Sequence, residues 1–132
     1  MSASRYDFII EQGSSYQISF FYKDSDSQPI DLTNWCARLV WKTDTGITQE
    51  FLSGNEDHNE YTFSLNDSTG EIRLLLPAST TSNFKFTSAK YDLDLKSPVV
   101  FTDGGDNYVS RILYGTVSIL ARGSETTTDN IC

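Results

Sequence analysis

A chain of 132 residues fits one domain and is long enough to bury a real core. Ten Lys and Arg against eighteen Asp and Glu leave a net charge of −8, which repels nucleic-acid phosphates, and no Lys/Arg cluster offsets it. No apolar run approaches the ~20 residues that span a bilayer, and residues 1–7 lack a basic region followed by an apolar one, so neither a membrane span nor a signal peptide is expected.

Residues 5–12 are the first predicted strand, with Tyr6, Phe8 and Ile10 on one face and Ile9 on the other. Gly13-Ser14-Ser15 interrupts the run. Residues 16–23 resume it, with Tyr16, Ile18, Phe20 and Tyr22 sharing one face and Gln17, Ser19, Phe21 and Lys23 the other. Either the two strands pair through the Gly-Ser pivot, or one strand switches sheets there. Residues 24–29 are a turn by composition. Their Asp24-Ser25-Asp26 spacing invites a calcium-loop reading, but Pro29 and Trp35 stand where an EF-hand needs Gly and Glu.

Residues 35–42 place Ala37, Leu39 and Trp41 on one face and Arg38, Val40 and Lys42 on the other. Asp44-Thr45-Gly46 marks a hairpin returning through residues 47–52. Residues 53–60 are the most polar segment and hold His58, read as a surface side chain. Residues 61–65 and 71–76 are further strands, joined by Asn66-Asp67-Ser68-Thr69-Gly70, a turn that also fits a glycosylation sequon. Residues 77–83 are the one place for a helical turn, opened by Pro77 and closed by Phe84 and Phe86 packing back. A last hairpin runs from residues 89–96, where Tyr91 and Leu93 alternate with Asp92 and Asp94, to residues 109–120. The intervening loop carries Ser97-Pro98 and Gly104-Gly105. Gly115 predicts a bulge or a close backbone approach.

The expected fold is all-β: an antiparallel two-sheet sandwich of seven to nine strands over residues 1–122, with a polar tail at 123–132. Such a tail has no core of its own and takes order only by lying against something. Cys36, in an apolar run, is expected to be a buried thiol and Cys132 a free one, with a disulfide between them as the lesser alternative. Two isolated thiols and one His lack the spacing of a zinc site, so no metal or cofactor is expected, and the thiols are consistent with a cytosolic origin.

Catalysis needs a nucleophile beside a base, or paired carboxylates in a cleft. Neither a Gly-x-Ser-x-Gly elbow nor a P-loop occurs. Asp92 and Asp94 lie about 6–7 Å apart along one strand face, and ion pairing with Lys90, Lys96 or Arg111 suits them better than glycoside hydrolysis. A non-enzymatic protein without a small-molecule substrate is expected. Apolar residues on faces that should be wet are candidate contacts instead: Ile9, Phe21, Val40, Ile112 and Tyr114, with Ile131 and Cys132 in the tail. A carbohydrate-binding sandwich is the competing reading, and would need Trp35, Trp41 and Tyr114 exposed in a row.

One resemblance bears on function. Glu11-Gln12-Gly13, Pro29-Ile30-Asp31-Leu32-Thr33 and Ala37-Arg38 are followed by Gly70-Glu71-Ile72, Tyr91-Asp92-Leu93 and Arg111-Ile112-Leu113-Tyr114-Gly115-Thr116-Val117. Each motif is short, but their order over about residues 6–120 resembles a group of small tailed-bacteriophage virion proteins. More distantly it is similar to the N-terminal domains of baseplate upper proteins. The resemblance implies an Ig-like sandwich serving as a structural module of the virion, made in the host cytoplasm. It implies a tail, baseplate, collar or fibre-attachment adaptor in the tail or neck, contacting other virion proteins and copies of itself in a symmetric assembly. Capsid decoration is the alternative role. No coiled coil or fibre shaft follows the matched region, which points away from a receptor-binding spike.

Overall fold

The computed structural model describes residues 3–53, 61–100 and 107–121. The predicted roles of His58, of the Gly104-Gly105 loop tip, of the tail and of its Ile131 and Cys132 therefore lie outside the described residues. Among the described residues the chain forms β1 (Ser4–Arg5), β2 (Phe8–Glu11), β3 (Tyr16–Phe21), β4 (Cys36–Thr43) and β5 (Thr48–Leu52). These are followed by β6 (Thr62–Asn66), β7 (Glu71–Leu76), α1 (Ala78–Thr81), β8 (Ser88–Val100) and β9 (Asn107–Leu120).

Two sheets result. The larger has the order β1-β9-β8-β4-β5, with β2 also on β9, and the smaller has the order β3-β7-β6. This is an all-β two-sheet sandwich with immunoglobulin-like strand order. β3, β7 and β6 take the B, E and D positions; β4, β8 and β9 take C, F and G; and β5 is an added C′.

Alternation builds the core. In β4, Ala37, Leu39 and Trp41 point inward and are buried; in β8, Ala89, Tyr91, Leu93 and Leu95 do the same. From the small sheet come Phe63, Ile72, Leu74 and Leu76. Each such large side chain contributes roughly 1.5–3 kcal/mol on leaving water. Trp41 lies at the centre of an aromatic cluster, with Phe51, Phe84 and Phe86 ring centroids 4.7, 5.5 and 5.8 Å away. Its indole N–H has no oxygen or nitrogen acceptor, and its surroundings are ring faces and edges.

The pairings are antiparallel with one exception, at the N-terminus. β1 and β2 run parallel to β9, in the registers Ser4↔Leu113 and Phe8↔Val117. The chain then turns at Gly13 and enters the other sheet as β3, so the Gly-Ser pivot is a sheet switch. Thr81 in α1 secures it: its Oγ1 accepts the Gly13 N–H at 3.0 Å and donates to the Ser14 carbonyl at 2.8 Å. One helical turn, placed as expected after Pro77, thus ties the switch to the end of β7.

Three expectations are corrected. Ser97-Pro98 is not loop: β8 continues through it to Val100, and the ladder slips between Lys96↔Val109 and Val100↔Asn107. A slip accommodates Pro98, which has no N–H for the ladder. Cys36 is exposed rather than buried, because β4 alternation sends it outward with Arg38. Ile112 does not point outward, for a reason that also shapes the functional surface.

Candidate functional site

Among the described residues, no strand lies along one flank of the sandwich. β3 is the edge of its sheet, since β7 occupies its other side. In constant-type immunoglobulin sheets a further strand, A, lies beside B. Here the N-terminal strands have gone to β9 instead, and among the described residues the place beside β3 is empty. Across the gap, β1 reaches only Leu113 and Tyr114 of β9, so no described strand lies along the outer edge at Ser110–Ile112.

Between these two edges runs a groove of about 470 Å³. Phe21, Tyr22 and Lys23 form one bank, Arg111 and Ile112 the other, and the core residue Ile72 lines its depth. Phe20, which also lines it, stands edge-on to Tyr6, with centroids 5.6 Å apart. Lys23 and Arg111 are the charged residues of the lining, and no carboxylate joins them. Because Asp92 already pairs with the Arg111 guanidinium at 3.1 Å, the slot is mainly apolar, with Lys23 at one bank.

The β9 bank owes its shape to a β-bulge. Leu93 pairs with Leu113 but Asp94 with Arg111, leaving Ile112 as the extra residue. Alternation reverses there. Leu113, Val117 and Ile119 face the core side, whereas Val109 and Arg111 turn outward, opposite Lys96 and Asp94. Ile112 itself packs partly against the core, correcting its assignment to the wet face. The outward turn lets the Arg111 guanidinium reach Asp92 at 3.1 Å while stacking over the Tyr114 ring at 4.8 Å.

The predicted contact residues do not form one patch. Phe21, 55 % exposed, and Ile112 meet in the groove. Ile9, 63 % exposed, lies on the far stretch of β9, beside Ser118. Val40 is half-buried between Glu50 and Asp92 in the middle of the large sheet. Tyr114 is half-buried under Arg111. Exposed Val109, Leu120 and Ile47 went unnamed in the sequence reading. Val109 is hidden from it because a strict period of two places that residue with Leu113, inside.

The N-terminal strands are clamped to β9 at Gly115. A Cβ there would stand 2.2 Å from the Tyr6 carbonyl oxygen, so only glycine admits the chain this close. The predicted close approach is present, while the bulge falls three residues earlier. The Tyr6 N–H donates to the Tyr114 carbonyl at 2.9 Å, and the buried Tyr91 hydroxyl donates to the Tyr6 carbonyl. Asp7 Oδ1 accepts the Thr116 N–H at 2.8 Å. That bond, aided by Arg5, holds the Asp7 carboxyl below its ordinary value. Burial, with the Asp7 charge nearby, pushes Tyr91 up; burial pushes Tyr16 up to about 12.

On the outer face of the large sheet, Arg38 pairs with Asp94 at 2.9 Å and Arg111 with Asp92, so these aspartates serve ion pairs. Lys42, however, stands directly opposite Lys90, with Thr48 and Thr116 completing the row. Elsewhere, the Asp24-Ser25-Asp26 spacing serves a turn: Asp24 Oδ1 accepts the N–H groups of Asp26 and Gln28.

The aromatics that a sugar-binding row would need are dispersed. Trp41 is fully buried, Trp35 is half-buried against Tyr22, and Tyr114 lies beneath Arg111. A second cleft of about 600 Å³, between the β4–β5 hairpin and α1, is lined by Thr45, Gln49, Asn83, Lys85, Phe84 and Phe86. Compared with known proteins, the chain matches no family model and no curated protein.

Proposed function

We propose that the protein is a non-enzymatic structural module of a bacteriophage virion, acting as a tail, baseplate, collar or fibre-attachment adaptor. The open flank is the observation that carries this reading. A β3 edge that no described strand pairs, an apolar groove and exposed Phe21 offer another polypeptide both hydrogen bonds and burial. The motif order shared with small tailed-phage virion proteins supplies the assembly. The test is direct: antibodies against the protein should decorate purified particles at a fixed position, and mass spectrometry should find it there in a constant ratio to other virion proteins. Labelling of the head surface would favour decoration of the capsid. Absence from purified particles would end the proposal.

One observation favours a second reading, a carbohydrate-binding module. The cleft beside α1 places Phe84 and Phe86 among hydroxyl and amide side chains, a mixture suited to a sugar ring. Glycan-array binding by the isolated protein, lost in Asn83→Ala, would support it; a blank array would remove it.

A further inference from the structure

The cleft between the β4–β5 hairpin and α1 has a lining that discriminates among sugars. We propose that it binds a sugar ring carrying a carboxylate, with the Lys85 ammonium as the partner of the acid group. This names a ligand class for the carbohydrate reading above and rests on that reading; it is independent of the virion role.

Three observations converge on that ligand. First, the cleft has the size and mixed chemistry of a sugar site. Its volume of about 600 Å³ lies within the roughly 300–1,000 Å³ of small-molecule pockets. Half-buried Phe86, packed on Trp41 with centroids 5.8 Å apart, and exposed Ile47 give it apolar surface for the C–H face of a ring. Second, polar groups in the lining have unused hydrogen-bonding capacity. β5 is the edge of its sheet, and alternation puts Gln49 on the inward side with Phe51, opposite Trp41. Its half-buried amide has no hydrogen-bond partner among the described residues, an unusual state that a ligand hydroxyl, both donor and acceptor, would end. Asn83 commits an amide N–H to the Ser79 carbonyl at 3.1 Å, which leaves its Oδ1 to accept. Third, the charge is of one sign. Lys85 is the charged residue of the lining, and no carboxylate joins it. Its Nζ donates to the Ser82 carbonyl at 3.3 Å, which engages one of the three ammonium donors, and it has no ion pair among the described residues. The carboxylates of the hairpin lie elsewhere: Asp44 lines a different cleft, with Lys42, and Glu50 sits opposite Val40 on the outer face. The net charge of −8 opposes an anion only weakly here, because exposed charges more than about 8 Å away are screened at physiological salt. A neutral sugar leaves the ammonium to water, whereas a carboxylate gives it a charge-assisted bond.

The experiment titrates small sugars into the full chain at neutral pH and follows its amide groups by NMR. Glucuronic acid and N-acetylneuraminic acid carry the carboxylate at different ring positions, glucose carries none, and acetate is the acid without the ring. At least one acid sugar should bind about tenfold more tightly than glucose and lose that advantage as salt rises. It should shift the Gln49 and Asn83 side-chain amides, which acetate should leave in place. Lys85→Gln, at an exposed position, should erase the preference. Lys42→Gln removes the same charge outside the cleft and should leave the preference intact. Circular dichroism checks that both variants fold, and the comparison of acid with neutral sugar needs neither. Glucose binding as tightly as both acids, a preference that survives Lys85→Gln or falls equally in Lys42→Gln, or acetate shifting the same amides overturns this inference and leaves the carbohydrate reading standing. If no sugar shifts the cleft amides, both fall together.

Discussion

Gly115 shows how much one missing atom can decide. Its bare Cα lets Tyr6 approach β9, and the Tyr91 hydroxyl and Asp7 carboxylate then hold Tyr6 and Thr116. Gly115→Ala should cost ~1–3 kcal/mol in denaturant unfolding, because the atom it meets is rigid backbone. Tyr91→Phe should cost about 1–2 kcal/mol by stranding the Tyr6 carbonyl. The pH dependence follows from the signs. Tyr91 has a raised pKa in the fold, so its contribution is complete below the ordinary tyrosine value and is lost as pH climbs above it. Tyr91→Phe should therefore flatten the alkaline limb of the stability profile, leaving a remnant from Tyr16. Asp7 has a lowered pKa, so its contribution is present above the ordinary carboxylate value and fades as pH falls below it. Asp7→Asn should flatten the acid limb in the same titration of unfolding midpoint against pH. The need for glycine at 115 was legible in the sequence. That its neighbour would be Tyr6 was not, since the two are far apart along the chain and nothing local couples them.

At the scale of elements, alternation in β4 and in the first half of β8 could be read directly, because each has one buried face and one wet face. β9 resisted. Apolar residues occupy both parities from Val109 to Leu113, so the one-residue slip at Ile112 leaves no mark on the pattern. Cys36 failed for a related reason: apolar neighbours suggested burial, while register with Lys96 sets it outward. Register also creates the opposed Lys42 and Lys90, a pairing unfavourable in itself. Lys42→Glu should raise stability by about 0.2–1 kcal/mol at low salt, with the gain shrinking as salt screens it; thermal unfolding at two ionic strengths checks both.

Across the whole molecule, the two sheets share one core. Trp41 and Phe51 of the large sheet meet Phe84 and Phe86, which follow α1, and Tyr61, which enters β6. Unfolding should accordingly be cooperative, with tryptophan fluorescence and far-ultraviolet circular dichroism reporting one coincident transition. Trp41→Ala should lower stability by ~3–5 kcal/mol in both signals together. Two transitions would mean that the sheets come apart separately.

The sequence by itself determined the class of the fold, because period-two alternation and turn chemistry are local properties that any strand-rich chain displays. It determined the single helical turn, the inward faces of β4 and β8, and the exposed Phe21. Only the tertiary structure decided which sheet the first strands join. Parallel pairing of β1 and β2 with β9 links residues more than a hundred positions apart, and a local pattern carries no trace of such a partner. Among the described residues, that pairing leaves no strand beside β3. A surface defined by what does not lie next to it can be read only once every described strand has found its neighbour.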